Sequence, residues 1–307
     1  RDMTTLMVAL APVFLAILTG WGARLTKVVP ESAWPGVNRL AYMVLAPVFM
    51  FTEIVRADLS FEDASFAAAG VLSFIAMGVV GFVLKPVAGS GPTFASAHQG
   101  AVRWNTFVIL AAAAAVFGVE GAALVALLMG PGIPVVNIMT VTAHSRWGEG
   151  QNPSWRGVMR SLATNPLLIA CLLGLAVNLS GLRLPPPAMD FLGIVGRGAL
   201  GVTLMCVGAG LDLRAISARP VLMAAAVVVK LVVAPLVFVG IGLAMGLSGM
   251  HLAVLAICGA APSPPAAYIL TREMGGDPRF MAGHITATTL LSAAAIPAAI
   301  WFAGLFG

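Results

Sequence analysis

The chain has 307 residues, of which 60% are hydrophobic and 9% charged, with a net charge of +5. A soluble domain carries roughly 25% charged residues, so a water-soluble globule is excluded. The apolar runs are continuous and long enough to span a bilayer, which excludes a membrane β-barrel and predicts an all-α polytopic membrane protein.

Ten spans follow in order, each of about 20 residues. They are expected at about 4–25, 35–56, 64–85, 100–118, 120–143, 158–179, 189–211, 219–246, 250–271 and 280–305. The longest polar connection, 144–157, divides the chain into two halves, 1–143 and 158–307. Five spans per half means that the second half enters the bilayer from the opposite face. That is the topology of an inverted repeat.

Basic residues set the expected orientation. Arg24, Lys27, Arg39, Lys85, Arg103, Arg146, Arg156, Arg160, Arg214, Arg219, Arg272 and Arg279 fall on one side, against Arg1, Arg56, Arg183 and Arg197 on the other. The first side is then cytoplasmic and both termini face outward.

The ninth span carries the strongest local signal. Cys258–Tyr268 reads CGAAPSPPAAY, with Pro262, Pro264 and Pro265 near the middle of an apolar run. Proline lacks a donor and clashes with the preceding turn, so the helix must break here. Within a bilayer such a break persists only where it is buried in protein or lines a polar cavity. A span interrupted at mid-depth points to a transporter binding site. The fourth span, RWNTFVILAAAAAVFG, holds the matching place in the first half, with Asn105 and Thr106 as its polar focus.

Few other residues suggest chemistry. No paired-histidine metal motif, nucleophile elbow or phosphate-binding glycine loop is present, so neither an enzyme nor a cofactor is expected. Cys171, Cys206 and Cys258 lie in apolar runs and read as packing residues. His98, His144 and His251 read as interfacial, and His284 as interfacial or packed, with a cavity-facing position as the alternative. Asp and Glu cluster at span ends, with Glu53 the deepest, which argues against a proton antiporter built on buried aspartates. Lys230 lies midway along the eighth span. It reads either as a fixed charge that attracts an anion or replaces a coupling cation, or as a lysine that snorkels or binds helix-end carbonyls. Asn38, Asn137 and Asn165 read as helix contacts or caps, and the Thr286–Ser292 hydroxyls as bonded to their own helix.

Several segments, in order, resemble the auxin efflux carrier family, the bacterial relatives of the plant PIN transporters. They are PGVNRLAYMVLAPVFMF, RWNT, NPLLIACLLGLAVNLSGLRLP, LMCVGAGLDL, APSPPAAYILTREMGGDP and TATTLLSAAAIP. The resemblance implies ten transmembrane helices as two inverted five-helix repeats, with broken helices 4 and 9 crossing at mid-membrane. This is the NhaA- and bile-acid-symporter-like architecture. It implies an organic-anion substrate such as a carboxylate, and it suggests a homodimer. Carried over by position, Asn105 and Thr106 match the Asn-Thr that precedes the family's fourth-helix break, and Ser263, Pro264 and Pro265 match the ninth-helix break. The expected pocket adds Pro262 and apolar walls from Leu110, Ala111, Ala112 and Ile257. The chain departs from the family in one place. Ile109-Leu110-Ala111-Ala112 stands where the family carries Gly-Leu-Pro, which implies a milder or shifted fourth break.

The expectation is therefore an efflux carrier in the plasma (inner) membrane that exposes its surface to lipid and binds neither nucleic acid nor metal. The alternatives are a sodium-coupled symporter of bile-acid type and a non-transporting membrane receptor.

Overall fold

The protein is described by a computed structural model covering residues 2–150 and 155–306. Among the described residues every regular element is helical. The fifteen α-helices are α1 (Met3–Leu25), α2 (Trp34–Leu40), α3 (Ala46–Arg56), α4 (Phe61–Val80), α5 (Lys85–Ala88), α6 (Gly91–Val102), α7 (Thr106–Trp147), α8 (Trp155–Ala163), α9 (Pro166–Ser180), α10 (Pro186–Ala209), α11 (Pro220–Val228), α12 (Ala234–Ala244), α13 (Gly249–Gly259), α14 (Ala266–Glu273) and α15 (Pro278–Ala303). Among the described residues seven continuous stretches are long and apolar enough to cross a membrane, and α9 and α13 are shorter apolar helices. Part of the predicted 144–157 connection, residues 151–154, lies outside the described residues, as does Arg1.

Local chemistry sets most boundaries. Asp2, Asn165 and Asp277 accept hydrogen bonds from the first-turn amides of α1, α9 and α15. Proline opens α9, α10, α11 and α15, where its missing N–H costs nothing. Two spans widen into single π turns, Ala41–Leu45 between α2 and α3 and Val229–Val233 between α11 and α12. Both turns end directly before an Ala-Pro pair, Ala46-Pro47 and Ala234-Pro235. The proline ring clashes with the carbonyl four residues earlier, and an extra residue in the turn relieves the clash.

Two boundaries differ from expectation. The sixth span, expected from about 158, begins at Pro166 after the separate helix α8, because Asn165-Pro166 starts a new helix. The fourth segment begins at Gly91, about nine residues before the predicted start, and α6 is almost wholly buried. Helical hydrogen bonding then runs on from Thr106 to Trp147, with a sharp turn at Gly118. The Gly118 backbone has φ 67° and ψ −146°, a conformation that only glycine adopts without strain.

The helices pack as two groups. In the first, α1 packs on α10, α10 on α3, and α3 on α9. Arg24 on α1 caps the end of α10, donating to the Ala209 and Leu211 carbonyls at 2.7 and 2.8 Å. Asn178 on α9 donates to the Ile54 and Ala57 carbonyls at the end of α3, at 2.9 and 2.7 Å. In the second group, α4, α6, α7, α13 and α15 enclose the broken segments, with α12 packed along α4 and α13. The outer surface carries exposed side chains such as Leu15, Val79, Phe191 and Ile194, as a lipid-facing surface requires.

Candidate functional site

The fourth segment breaks between α6 and α7. Arg103 ends α6 in an extended conformation, and Asn105 (φ −85°, ψ 99°) restarts the helix. Asn105 Oδ1 accepts from the Phe107 and Val108 amides at 3.1 and 3.4 Å. The ninth segment breaks between α13 and α14, across Ala260–Pro265. Three of those six residues are prolines and offer no amide, so few donors are stranded. The first turn of α14 then closes on the Pro264 and Pro265 carbonyls.

The two breaks satisfy each other. The Asn105 amide donates to the Pro262 carbonyl at 2.7 Å. Ser263 Oγ donates to the Gly100 carbonyl of α6 at 3.0 Å, and its amide donates to Thr288 Oγ1 of α15 at 3.2 Å. Gln99 Nε2 donates to the Ala267 carbonyl of α14 at 2.8 Å. Backbone groups freed by one interruption are thereby paired with the other, as burial demands.

A cavity of about 460 Å³ opens where these breaks face the first helix group. On the break side it is lined by Arg103, Asn105, Thr106 and Phe107 at the start of α7 and by Pro264, Pro265 and Ala266 at the start of α14. Facing them are Asn38 and Tyr42 from the second segment, Asn165 and Leu167 from α9, and Thr203 and Val207 from α10. Two helix N-termini therefore share one cavity wall. Each presents the positive end of a helix dipole, with the Phe107 and Val108 amides capped by Asn105 Oδ1 and the Ala267 and Tyr268 amides closed on the Pro264 and Pro265 carbonyls.

Side chains reinforce that polarity. Arg103 lies on the wall, donating through Nη2 to Asn137 and through Nε to Thr140 at 3.4 Å. Asn105 is 1% exposed and lines the cavity, and its Nδ2 has no hydrogen-bond partner. A buried amide donor without a partner is costly unless a ligand meets it. Trp104, on the same wall, stacks on Phe74 with ring centroids 3.8 Å apart, which fixes the break against α4. Glu273 ends α14 at the far rim, about 10 Å from its first residue by helix rise. Among the described residues no cluster of three or more His, Cys, Asp or Glu could hold a metal ion.

The cavity gathers four of the ten residues expected from sequence: Asn105, Thr106, Pro264 and Pro265. The other six are not on its wall. Leu110, Ala111, Ala112 and Ile257 are packed in the core at 0–4% exposure, Pro262 is buried, and Ser263 bonds to Gly100 behind the wall. The fourth break is shifted, as the missing proline implied, and it falls at Arg103–Asn105. Ile109–Ala112 contains only residues that a helix tolerates, so α7 runs through it.

Lys230 sits on the second π turn at 2% exposure and is not on the cavity wall. Among the described residues no hydrogen bond or ion pair engages its ammonium. His98 and His144, expected at interfaces, are instead buried, whereas His251 is partly exposed in the first turn of α13 and His284 is packed inside, as one of its readings had it. His98 meets the Gly78 carbonyl at 2.9 Å, and His144 meets the Thr140 carbonyl at 3.0 Å. His251 pairs with Asp63 at 2.8 Å, and His284 is fully buried.

Sequence reasoning placed Arg103 among the basic loop residues and left Tyr42 unremarked. The adjacency of Arg103 to the Asn105 cap is the signal that could have found it. Asn165 does cap α9, as read from the sequence, and it lines the cavity as well.

The sequence profile of a family described as membrane transport protein matches residues 5–147 and 154–301. The chain belongs to this family, that of the auxin efflux carriers. An uncharacterized transporter of Methanothermobacter thermautotrophicus is 26% identical over 295 residues, covering 93% of this chain and 94% of the relative. This member of the auxin efflux carrier family is thus a multi-pass membrane transport protein. Its cavity is the feature that bears on what it carries.

Proposed function

We propose that the protein is a secondary carrier for a small organic anion and that the cavity at the two breaks is its substrate site. The observation that carries this reading is the convergence of the α7 and α14 N-termini with Arg103 and the unpartnered Asn105 Nδ2 on one wall. Helix N-termini attract anions through their positive dipole ends. A guanidinium and a carboxamide add directional donors that suit a carboxylate. The volume lies in the usual range for small-ligand sites, and Phe107, Ile133, Val136, Leu167 and Ile269 supply apolar contact for the rest of the substrate.

In this reading the chain crosses the membrane ten times. The spans are α1, α2–α3, α4–α5, α6 with the first part of α7, the rest of α7 beyond Gly118, α9, α10, α11–α12, α13–α14 and α15. Residues 1–143 and 158–307 form the two inverted repeats, joined by the cytoplasmic connection 144–157. Broken spans four and nine cross, and they move with their bundle against α1, α3, α9 and α10 in alternating access. What supports this is the packing of the helices in two groups with the cavity between them. The excess of basic residues on one side supports a plasma-membrane orientation with both termini outside. The cavity is bounded at that basic side by Asn38, beside Arg39, and by Glu273, beside Arg272, so it faces the cytoplasm. The inside-negative potential then drives anion export by about 2.3 kcal/mol per charge per 100 mV. The working unit is a homodimer in lipid.

Counterflow in proteoliposomes with labelled dicarboxylates, indole carboxylates and amino acids tests the reading. At least one anion is expected to exchange. Asn105→Ala removes both the helix cap and the free donor and is expected to slow that exchange at least about tenfold. Ligand binding without any flux would turn the reading toward a receptor.

A further inference from the structure

Ahead of α9 lies a short helix that the cavity does not use. The sequence of α8 (Trp155–Ala163) is WRGVMRSLA, with apolar residues at 155, 158, 159 and 162 and arginines at 156 and 160. Apolar residues spaced three and four apart fall on one face of a helix. Arg156 and Arg160, one turn apart, fall side by side away from that face. The helix is strongly amphipathic but low in net hydrophobicity, the pattern of a helix that lies in a membrane interface and does not cross it.

The protein does not cover the apolar face fully. Met159 is 50% exposed, whereas Leu162, three residues on, is buried. Arg156 and Arg160 are both exposed, and among the described residues no ion pair engages either guanidinium. No Asp or Glu lies between residues 150 and 189, so no carboxylate nearby in the chain neutralises them.

The length of the next helix puts α8 at the bilayer boundary. α9 follows after Thr164 and Asn165 and has 15 residues. Its rise is about 22 Å, against roughly 30 Å of hydrocarbon in a bilayer. The corner between α8 and α9 therefore lies where headgroups meet acyl chains. That is the depth at which amphipathic helices seat their apolar side.

We propose that α8 docks on the bilayer and that Arg156 and Arg160 bind the headgroup of an anionic phospholipid. Guanidinium groups engage phosphate oxygens through paired donors, and each basic residue near an anionic surface favours docking. The docked helix reaches the cavity by direct bonds. The Asn165 amide donates to the Leu162 carbonyl of α8 at 3.1 Å, and the Thr164 amide and hydroxyl both donate to the Arg160 carbonyl at 2.9 Å. Asn165 Oδ1 in turn accepts from the Leu167 and Leu168 amides that open α9, and Asn165 lines the cavity. Seating α8 in lipid thus fixes the residue that starts α9 on the cavity wall, and transport responds to the charge of the surrounding lipid. That consequence rests on the carrier reading above.

Spin labels at Met159→Cys and Gly157→Cys, about 200° apart on the helix, test the docking in nanodiscs. Cys171, Cys206 and Cys258 are replaced by alanine in that background. The label at 159 is expected to be reached by oxygen and shielded from a water-soluble nickel complex, and the label at 157 the reverse. Its docked-to-free ratio is expected to be on the order of tenfold higher in an equal mixture of phosphatidylglycerol and phosphatidylcholine than in phosphatidylcholine alone. The double variant Arg156→Gln/Arg160→Gln is expected to lose that difference. Hydrogen exchange of the α8 backbone in the chain with its native cysteines repeats the test: slower exchange in the mixed discs, and no such slowing in the double variant. A label at 159 open to nickel, a label closed to both probes as when protein covers it, or docking indifferent to lipid charge and to both arginines overturns the proposal. Counterflow of an anion found to exchange is expected to run severalfold faster in the mixed lipid for wild type and equally in both lipids for the double variant. A wild type indifferent to lipid charge overturns the link from α8 to the cavity. Failure of every anion to exchange instead removes the carrier reading, while the spectra still decide the lipid site.

Discussion

The two breaks lie against each other but are made by different means. The ninth is enforced: Pro262, Pro264 and Pro265 deny the backbone a helix across Ala260–Pro265. The fourth is permitted: no proline or glycine lies between Ala101 and Phe117, and the chain leaves the helix for only three residues. It is held open by bonds, chiefly the Asn105 cap on α7 and the Asn105–Pro262 backbone contact. A helix can thus be interrupted inside a protein by the absence of donors or by a better offer to them. The second kind depends on its partner.

That contrast can be broken most forcefully by Ala112→Pro, which returns a proline to the place where the family carries one. Here residue 112 is inside α7 and fully buried, so the change costs about 3 kcal/mol and is expected to lower the melting temperature in detergent markedly. Arg103→Gln sharpens the comparison next. It keeps a hydrogen-bonding side chain at the permitted break but removes its charge. Apparent anion affinity in counterflow is expected to fall about tenfold or more, as for a lost charge-assisted hydrogen bond. Pro264→Ala has the smallest effect. Pro262 and Pro265 still enforce the ninth break, so transport is expected to change by only about two- to threefold, with a melting temperature near that of the wild type. A large loss from Pro264→Ala with little from Arg103→Gln would reverse the ranking of the two walls.

The same contrast explains what could be read without coordinates. Proline is explicit in a sequence, and the ninth break was placed correctly from CGAAPSPPAAY alone. Asn105 and Thr106 were singled out, but the start of their segment was set about nine residues late, because Gly91–Val102 carries Ser96, His98 and Gln99 and looks polar for a span. Those side chains are buried and bonded to other segments or to their own helix, information that no local pattern contains. Leu110, Ala111 and Ala112 were expected on the pocket wall beside a break at Ile109–Ala112, and Ile257 as an apolar wall beside the ninth break. With the break at Arg103–Asn105 they belong to the core. Arg103 was hidden by a sound rule: a basic residue near a predicted span end normally counts toward orientation. Tyr42 and Lys230 are second residues of matching π turns, yet one lines the cavity and the other does not. The Ala-Pro pairs that create both turns are legible, but the direction each turn faces depends on neighbouring helices.

The central claim is that the paired helix starts, with Asn105 between them, make a pocket for negative charge. Asn105→Asp tests it most directly, because aspartate caps a helix as well as asparagine while replacing the free donor with a carboxylate. Counterflow of an anion carried by the wild type, measured beside the melting temperature, should show transport abolished in a protein that remains folded. Exchange of that anion at the wild-type rate by folded Asn105→Asp would contradict the account.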